Sequence, residues 1–262
     1  MSLSRILKKA LPSGSAFLFW AVFAQAECLP SLEADREAVV VSRVYDGDTV
    51  KLSDGRIIRL IGINTPETGK DARPSEYMAD EAKARLQTLV FDGPISLTLG
   101  LEKKDRYGRW LGHLWRQNEL ISERLIREGY GYQISIPPNL VYRDCFGEAE
   151  RRAQAQGVGL WQRSPWKAVT SLSSDAAGFY LLQGLVTKQK TVKKGWLLEV
   201  DKRLAVMLPE PLVTQLTEQN MSVLEGKKIR VRGWIRPKSA TAPAHFMPWF
   251  IRLSHLDQLQ FD

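Results

Sequence analysis

The stretch Asp46-Gly47-Asp48-Thr49-Val50-Lys51-Leu52-Ser53-Asp54-Gly55-Arg56-Ile57-Ile58-Arg59-Leu60-Ile61-Gly62-Ile63-Asn64-Thr65-Pro66-Glu67 decides the architecture. Its apolar positions come in short blocks separated by turn residues. Thr49 to Leu52 and Ile57 to Ile63 read as strands, and Asp54-Gly55 between them is a strong two-residue hairpin signal. Val39-Val40-Val41 opens a strand upstream. Downstream, Pro74 to Leu89 predicts a helix, favoured by its alanines and Leu86. Ile95 to Leu99 and Leu111 to Trp115 alternate with period two. Two further helices are expected, from Ile121 to Glu128 with Gly129 as its cap and from Tyr142 to Gln156 with Gly157 as its cap. Five strands with a helix after the third is the pattern of a five-stranded OB-fold barrel with appended helices, mainly β with α (α+β).

Beyond Trp161 the composition changes. Residues 162–176 contain Ser164, Pro165, Ser171, Ser173, Ser174 and Asp175 and lack periodicity, and we place a linker at 167–176. Strand-type segments then resume at Tyr180 to Val186, Gly195 to Val200, Leu204 to Leu208, Lys228 to Ile235 and Phe250 to Leu253, with a short helix at Pro211 to Gln219. They predict a second small OB-like barrel over 177–262. Charge separates the two parts. Residues 27–166 hold 20 Lys and Arg against 21 Asp and Glu, whereas 167–262 hold 14 against 8. The overall charge of +8 in 262 residues suggests an anionic partner.

Residues 1–26 have the layout of a signal peptide: Arg5, Lys8 and Lys9, an apolar run from Ala16 to Ala24, then Ala24-Gln25-Ala26 as a small-x-small cleavage site. The run is too short to span a bilayer comfortably. The expectation is a periplasmic or secreted protein with no stable membrane association after cleavage. Cys28 and Cys145 then remain, and an even count in an oxidising compartment invites a disulfide, the alternative being two unrelated thiols. Such a bond would contribute ~3–5 kcal/mol on the chain-entropy argument.

Around Asp46, Asp48, Asn64 and Thr65 the available ligands are hard oxygens, with no histidine or cysteine near; such a set suits calcium or magnesium and not zinc. His113, His245 and His255 are scattered without metal-ligand spacing and read as structural. In the C-terminal part, Lys188, Lys190, Lys193 and Lys194 are either a solvated hairpin turn or, with Trp196, Trp234, Trp249, Arg230, Arg232 and Arg236, an OB-type face that stacks bases and neutralises phosphates.

Three separated motifs in order, Asp46-Gly47-Asp48-Thr49-Val50, Arg59 to Glu67 and Asp105-Arg106-Tyr107-Gly108-Arg109, resemble the staphylococcal (micrococcal) nuclease, or thermonuclease, family over about 38–161. The resemblance implies a nuclease that binds one Ca²⁺ ion and hydrolyses DNA and RNA. It implies Asp48, Asn64 and the Thr65 carbonyl as metal ligands, Arg59 and Arg109 on the scissile phosphate, and Glu67 acting on the attacking water. Tyr107, Arg106 and Tyr132 are the expected substrate contacts. Asn64 departs from the aspartate frequent in the family, which removes a charge from the ligand set. The alternative is a non-catalytic nucleic-acid-binding protein on the same fold, and the presence of both arginines with Glu67 distinguishes the two.

Overall fold

The computed structural model describes residues 35–69, 74–241, 243 and 246–261. The expected signal peptide, Cys28 and His245 lie outside these residues. The N-terminal unit contains β1 (Glu37–Val39), β2 (Val41–Asp46), β3 (Thr49–Leu52), β4 (Ile57–Leu60), β5 (Ile63–Asn64), α1 (Ala79–Phe91), β6 (Ile95–Lys104) and β7 (Trp110–Arg116). It continues with β8 (Glu119–Leu120), α2 (Ile121–Arg127), β9 (Tyr132–Gln133) and α3 (Arg143–Gln156). Its main sheet runs β1-β6-β7-β4-β3-β2, antiparallel except where β4 lies parallel to β7. β1 and β2 are one strand path interrupted at Val40, so β1 on β6 and β2 on β3 curl the sheet into an OB-type barrel. Val44, Val50, Leu52, Ile58, Leu60, Leu97 and Leu114 fill its interior. α1 adds Leu86, Leu89 and Val90 from one face, at the spacing an amphipathic helix requires. Each fully buried aliphatic side chain of this kind contributes about 1.5–3 kcal/mol.

Two local departures from the sequence expectation shape the site. The strand expected from Ile57 to Ile63 stops at Leu60, because Gly62 takes φ +81°. A methyl group at Gly62 would sit 2.0 Å from a ring carbon of buried Phe146, so the close approach of α3 also requires glycine there. The chain turns and resumes as β5, which pairs with β9. The helix expected from Pro74 begins at Ala79, after a left-handed Met78. The residues before it form a loop clamped to the site: Glu67 N–H donates to Glu76 Oε2 and Glu76 N–H donates to the Glu67 carbonyl, both at 3.0 Å.

The C-terminal unit contains β10 (Lys167–Ala168), β11 (Gly178–Val192), β12 (Gly195–Val200), β13 (Leu204–Pro209), α4 (Glu210–Glu218), β14 (Lys228–Pro237), β15 (Trp249–Arg252) and β16 (Leu259–Phe261). The order β11-β12-β13-β15-β14, with β14 pairing back onto β11, closes a five-stranded barrel. As in the first unit, the third and fifth strands of the ring are parallel and a helix follows the third. Residues 167–176 are packed and do not act as a free linker. Lys167 and Ala168 pair in parallel with β11, and Val169, Leu172 and Ala176 are buried in the second core. Their apolar positions are too few and too irregularly spaced to register as a strand or helix pattern.

Candidate functional site

Asp48 sits in the turn between β2 and β3, and its carboxylate is almost fully used. Oδ2 accepts the Thr65 N–H at 2.9 Å and the Thr65 hydroxyl at 3.2 Å, and Oδ1 accepts the Thr49 hydroxyl at 3.0 Å. Arg59, one strand over, pairs with the same carboxylate at 2.9 Å. Asp48, Arg59, Asn64 and Thr65 are all buried. Arg59 Nη1 donates to the carbonyls of Leu60 and Ile63, and Nη2 also reaches Asn64 Oδ1 at 3.2 Å. The guanidinium is therefore held rigidly, and the broken strand at Gly62 is what turns the Ile63 carbonyl and Asn64 towards it. Asp46 is a second buried carboxylate; burial, then the neighbouring Asp48 charge, pushes its pKa well up.

These donors fit a hard divalent ion. The Asp48 carboxylate and the Asn64 amide oxygen already converge on a cationic nitrogen of Arg59. The Asn64 amide also reaches the Thr65 carbonyl at 3.4 Å, which places that oxygen beside the set. Among the described residues no group of three or more His, Cys, Asp or Glu side chains is arranged to hold a metal, so an ion held here would need carbonyl oxygens in its shell.

Arg59, Asn64, Glu67, Arg106, Tyr107 and Arg109 line one cavity of about 810 Å³. Arg109 comes from the β6–β7 turn, which Asp105 organises. Its Oδ1 accepts the N–H groups of Tyr107 and Arg109 at 2.9 and 3.0 Å, and its Oδ2 accepts Arg109 Nε at 2.8 Å. Tyr107 is 69% exposed; its ring lies beneath the Arg106 and Arg109 guanidiniums, at 4.7 and 5.6 Å, and its hydroxyl accepts from Arg106 at 2.6 Å.

Tyr132 is not at this cavity, contrary to the sequence expectation. It stacks on Phe179 of the C-terminal unit at 6.0 Å and meets Trp161 edge-on at 5.5 Å. Burial raises the pKa of its hydroxyl. β9 lies at the junction between the units, where Phe179 stacks on Tyr132 and Arg232 donates to the Gln133 carbonyl. The expected C-terminal nucleic-acid face is also revised. Trp196 and Trp249 are core, and Arg232 is buried in an ion pair with Glu150. Lys193 and Lys194 lie in the β11–β12 turn, and Lys190 pairs with Glu199. Trp234 and Arg236 do reach the cavity, joined by Phe250 and Arg252, which sequence reasoning read only as strand. The repeated triplets Trp234-Ile235-Arg236 and Phe250-Ile251-Arg252 were the available signal. His113 is buried and packs edge-on against Tyr142 at 4.8 Å, as a structural histidine. Cys145 has no free thiol, while Cys28 lies outside the described residues.

Residues 57–163 match the family model described as staphylococcal nuclease homologue. The chain is 33% identical over 136 residues to a thermonuclease of Staphylococcus intermedius, covering 51% of this chain and 81% of that protein. It is 32% identical over 131 residues to a thermonuclease of Staphylococcus hyicus, covering 49% and 78%. It is 30% identical over 131 residues to endonuclease YncB of Bacillus subtilis, covering 48% and 62%. With these thermonucleases matched over most of their length at 30% identity or more, the chain belongs to the staphylococcal nuclease homologue family.

Proposed function

We propose that the protein is an exported, calcium-dependent endonuclease that hydrolyses phosphodiester bonds of DNA and RNA. The observation that carries this reading is that Arg59, Glu67 and Arg109 line one cavity beside an all-oxygen donor set. Asp48, Asn64 and the Thr65 carbonyl would hold the ion, which when bound supplies Lewis-acid stabilisation of the phosphoryl oxygens. Arg109 presents N–H donors to the charge that grows on the non-bridging oxygens. Arg59, fixed by four acceptors, adds a preorganised positive charge at the same wall. Glu67, whose backbone is clamped by Glu76, takes a proton from the attacking water. A protein that only binds nucleic acid needs phosphate contacts but no carboxylate beside them, which favours hydrolysis over binding alone.

Digestion of single- and double-stranded DNA and RNA by the chain from residue 27 onward tests the reading. Chelator is expected to abolish cleavage and calcium to restore it; full activity in excess chelator would overturn the metal requirement. Asn64→Asp adds a negative charge to the ligand set and is expected to tighten calcium binding about tenfold or more, read by calorimetry. Unchanged affinity in that variant would remove Asn64 from the ligands. Export rests on the basic start, apolar run and Ala24-Gln25-Ala26 of the sequence. Exported protein is expected to begin at Glu27 on N-terminal sequencing, and retention of Met1 in the extracytoplasmic product would refute cleavage there.

A further inference from the structure

The cavity that holds Arg59, Glu67 and Arg109 has a second wall, made by the C-terminal barrel: Trp234 and Arg236 from β14, Phe250 and Arg252 from β15. The pleat explains the set. Ile235 and Ile251 turn into the barrel core, so the residues on either side of each face outward together. Arg236 stands directly opposite Phe250 in the antiparallel register, so rings and cations are neighbours across the strands as well as along them. Trp234 and Phe250 leave 41% and 39% of their surface exposed despite being large apolar residues. Arg236 and Arg252 have no ion pair or side-chain hydrogen bond among the described residues, unlike Arg59, Arg109 and Arg232. Tyr107 presents a third ring to the same cavity from the N-terminal unit.

We propose that this strand face is a substrate subsite that takes unpaired bases and their adjoining phosphates, feeding a single strand to the cleavage site in the same cavity. The proposal rests on the nuclease reading for what happens to the strand, but not for its capture. Alternating rings and free guanidiniums match the alternation of base and phosphate along a strand. A paired base has both faces covered by its neighbours and cannot stack on Trp234 or Phe250, so the rings select single strands. The guanidiniums add attraction that does not depend on sequence. The C-terminal excess of basic residues is thereby given a location: two of its uncommitted charges border the cleft itself.

The test uses the chain from residue 27 with Glu67→Gln to stop turnover, and fluorescence anisotropy of a labelled oligothymidylate and of a duplex of equal length across a salt series. Trp234→Ala and Phe250→Ala are each expected to weaken single-strand binding roughly tenfold, since stacking on one aromatic ring commonly contributes about that factor or more. Duplex binding is expected to stay within about twofold of the parent. Trp234→Phe, which keeps a ring, should retain most of the affinity. Arg236→Gln with Arg252→Gln, both at exposed positions, should flatten the salt slope by about 1.4, at about 0.7 per phosphate on single strands. Folded ring and arginine variants that bind single strands like the parent at every salt concentration would overturn the proposal. Equal losses on single strands and duplex would overturn the stacking role. Cleavage by the parent chain with Glu67 intact is scored separately, so binding through these residues without cleavage would refute hydrolysis and leave the subsite standing.

Discussion

Arg109→Ala is expected to lower turnover about 100-fold while changing the Michaelis constant little, because a preorganised donor acts mainly on charge that develops in the transition state. Arg109 is the cleaner arginine to remove. Its guanidinium is partly exposed at the cavity, and the turn that carries it is organised by Asp105 through two backbone N–H groups, which the substitution leaves in place. Burial raises the Asp105 pKa, but the Arg109 hydrogen bond and charge and those backbone donors outweigh it and hold the carboxyl below its ordinary value. Arg109→Ala removes two of those lowering contributions but leaves both backbone donors to Asp105 Oδ1, so the turn is expected to keep its shape. Arg109→Lys should recover only part of the loss, since an ammonium cannot meet two phosphate oxygens as a planar fork does. Arg59→Ala mixes two effects: it removes the charge proposed to act on the phosphate and leaves buried Asp48 without its cation, which by itself costs about 3–5 kcal/mol. Steady-state kinetics with a thermal melt on each variant separates them. A folded Arg109→Ala protein with near-full turnover would refute the assignment of Arg109 to the phosphate.

The barrels were legible where the sequence alternates or turns on glycine. The period-two runs of β6 and β7, and Gly129 and Gly157 after the helices α2 and α3, lie where expected. Asp54-Gly55 does lie in the β3–β4 connection, but as part of a longer loop in which the Gly55 N–H donates to the Leu52 carbonyl and the Leu52 N–H to the Arg56 carbonyl, not as a two-residue turn. The C-terminal strands β12, β13 and β14 were found nearly to the residue. What escaped was set by long-range packing. Nothing local in Ile61-Gly62 says that the Phe146 ring lies over the turn and leaves no room for a side chain at Gly62. Nothing in 167–176 announces that Val169 and Leu172 join the core of a barrel whose strands come later.

The site divides in the same way. Asp48, Arg59, Asn64 and Thr65 were legible because they lie within 18 residues of each other in a hairpin and its following turn, so their proximity is local. Arg109 was legible only as part of a motif. Tyr132 was misplaced because its sequence neighbourhood gives no sign that Phe179 stacks on it. Phe250 and Arg252 needed the packing of one barrel against the other before they became residues of a shared cavity.

That packing rests on a buried ion pair, and Arg232→Met is expected to destabilise the protein by about 3–5 kcal/mol. Arg232 and Glu150 are 2% and 5% exposed, and Arg232 Nη1 lies 2.8 Å from both Glu150 oxygens and 3.1 Å from the Gln133 carbonyl. Glu150 also accepts the Gln133 N–H at 2.9 Å, so one carboxylate ties α3, β9 and β14 together. Around it, the Ser135 hydroxyl donates to Asp257 at 2.6 Å, and the Ser254 hydroxyl reaches the Ser135 carbonyl at 3.3 Å. Removing the guanidinium strands a charge in a place water does not reach, and the cost comes from that charge more than from the lost attraction. Glu150→Gln in the same protein removes the charge and is expected to return much of the loss, a coupling that a double-mutant cycle read by chemical denaturation measures directly. If the units need this pair to stay docked, Arg232→Met should also weaken single-strand binding, because Trp234 and Arg236 follow on the same strand and form the far wall of the cleft. A cycle with no coupling, or a melt unchanged by Arg232→Met, would show that the ion pair does not hold the two barrels in register.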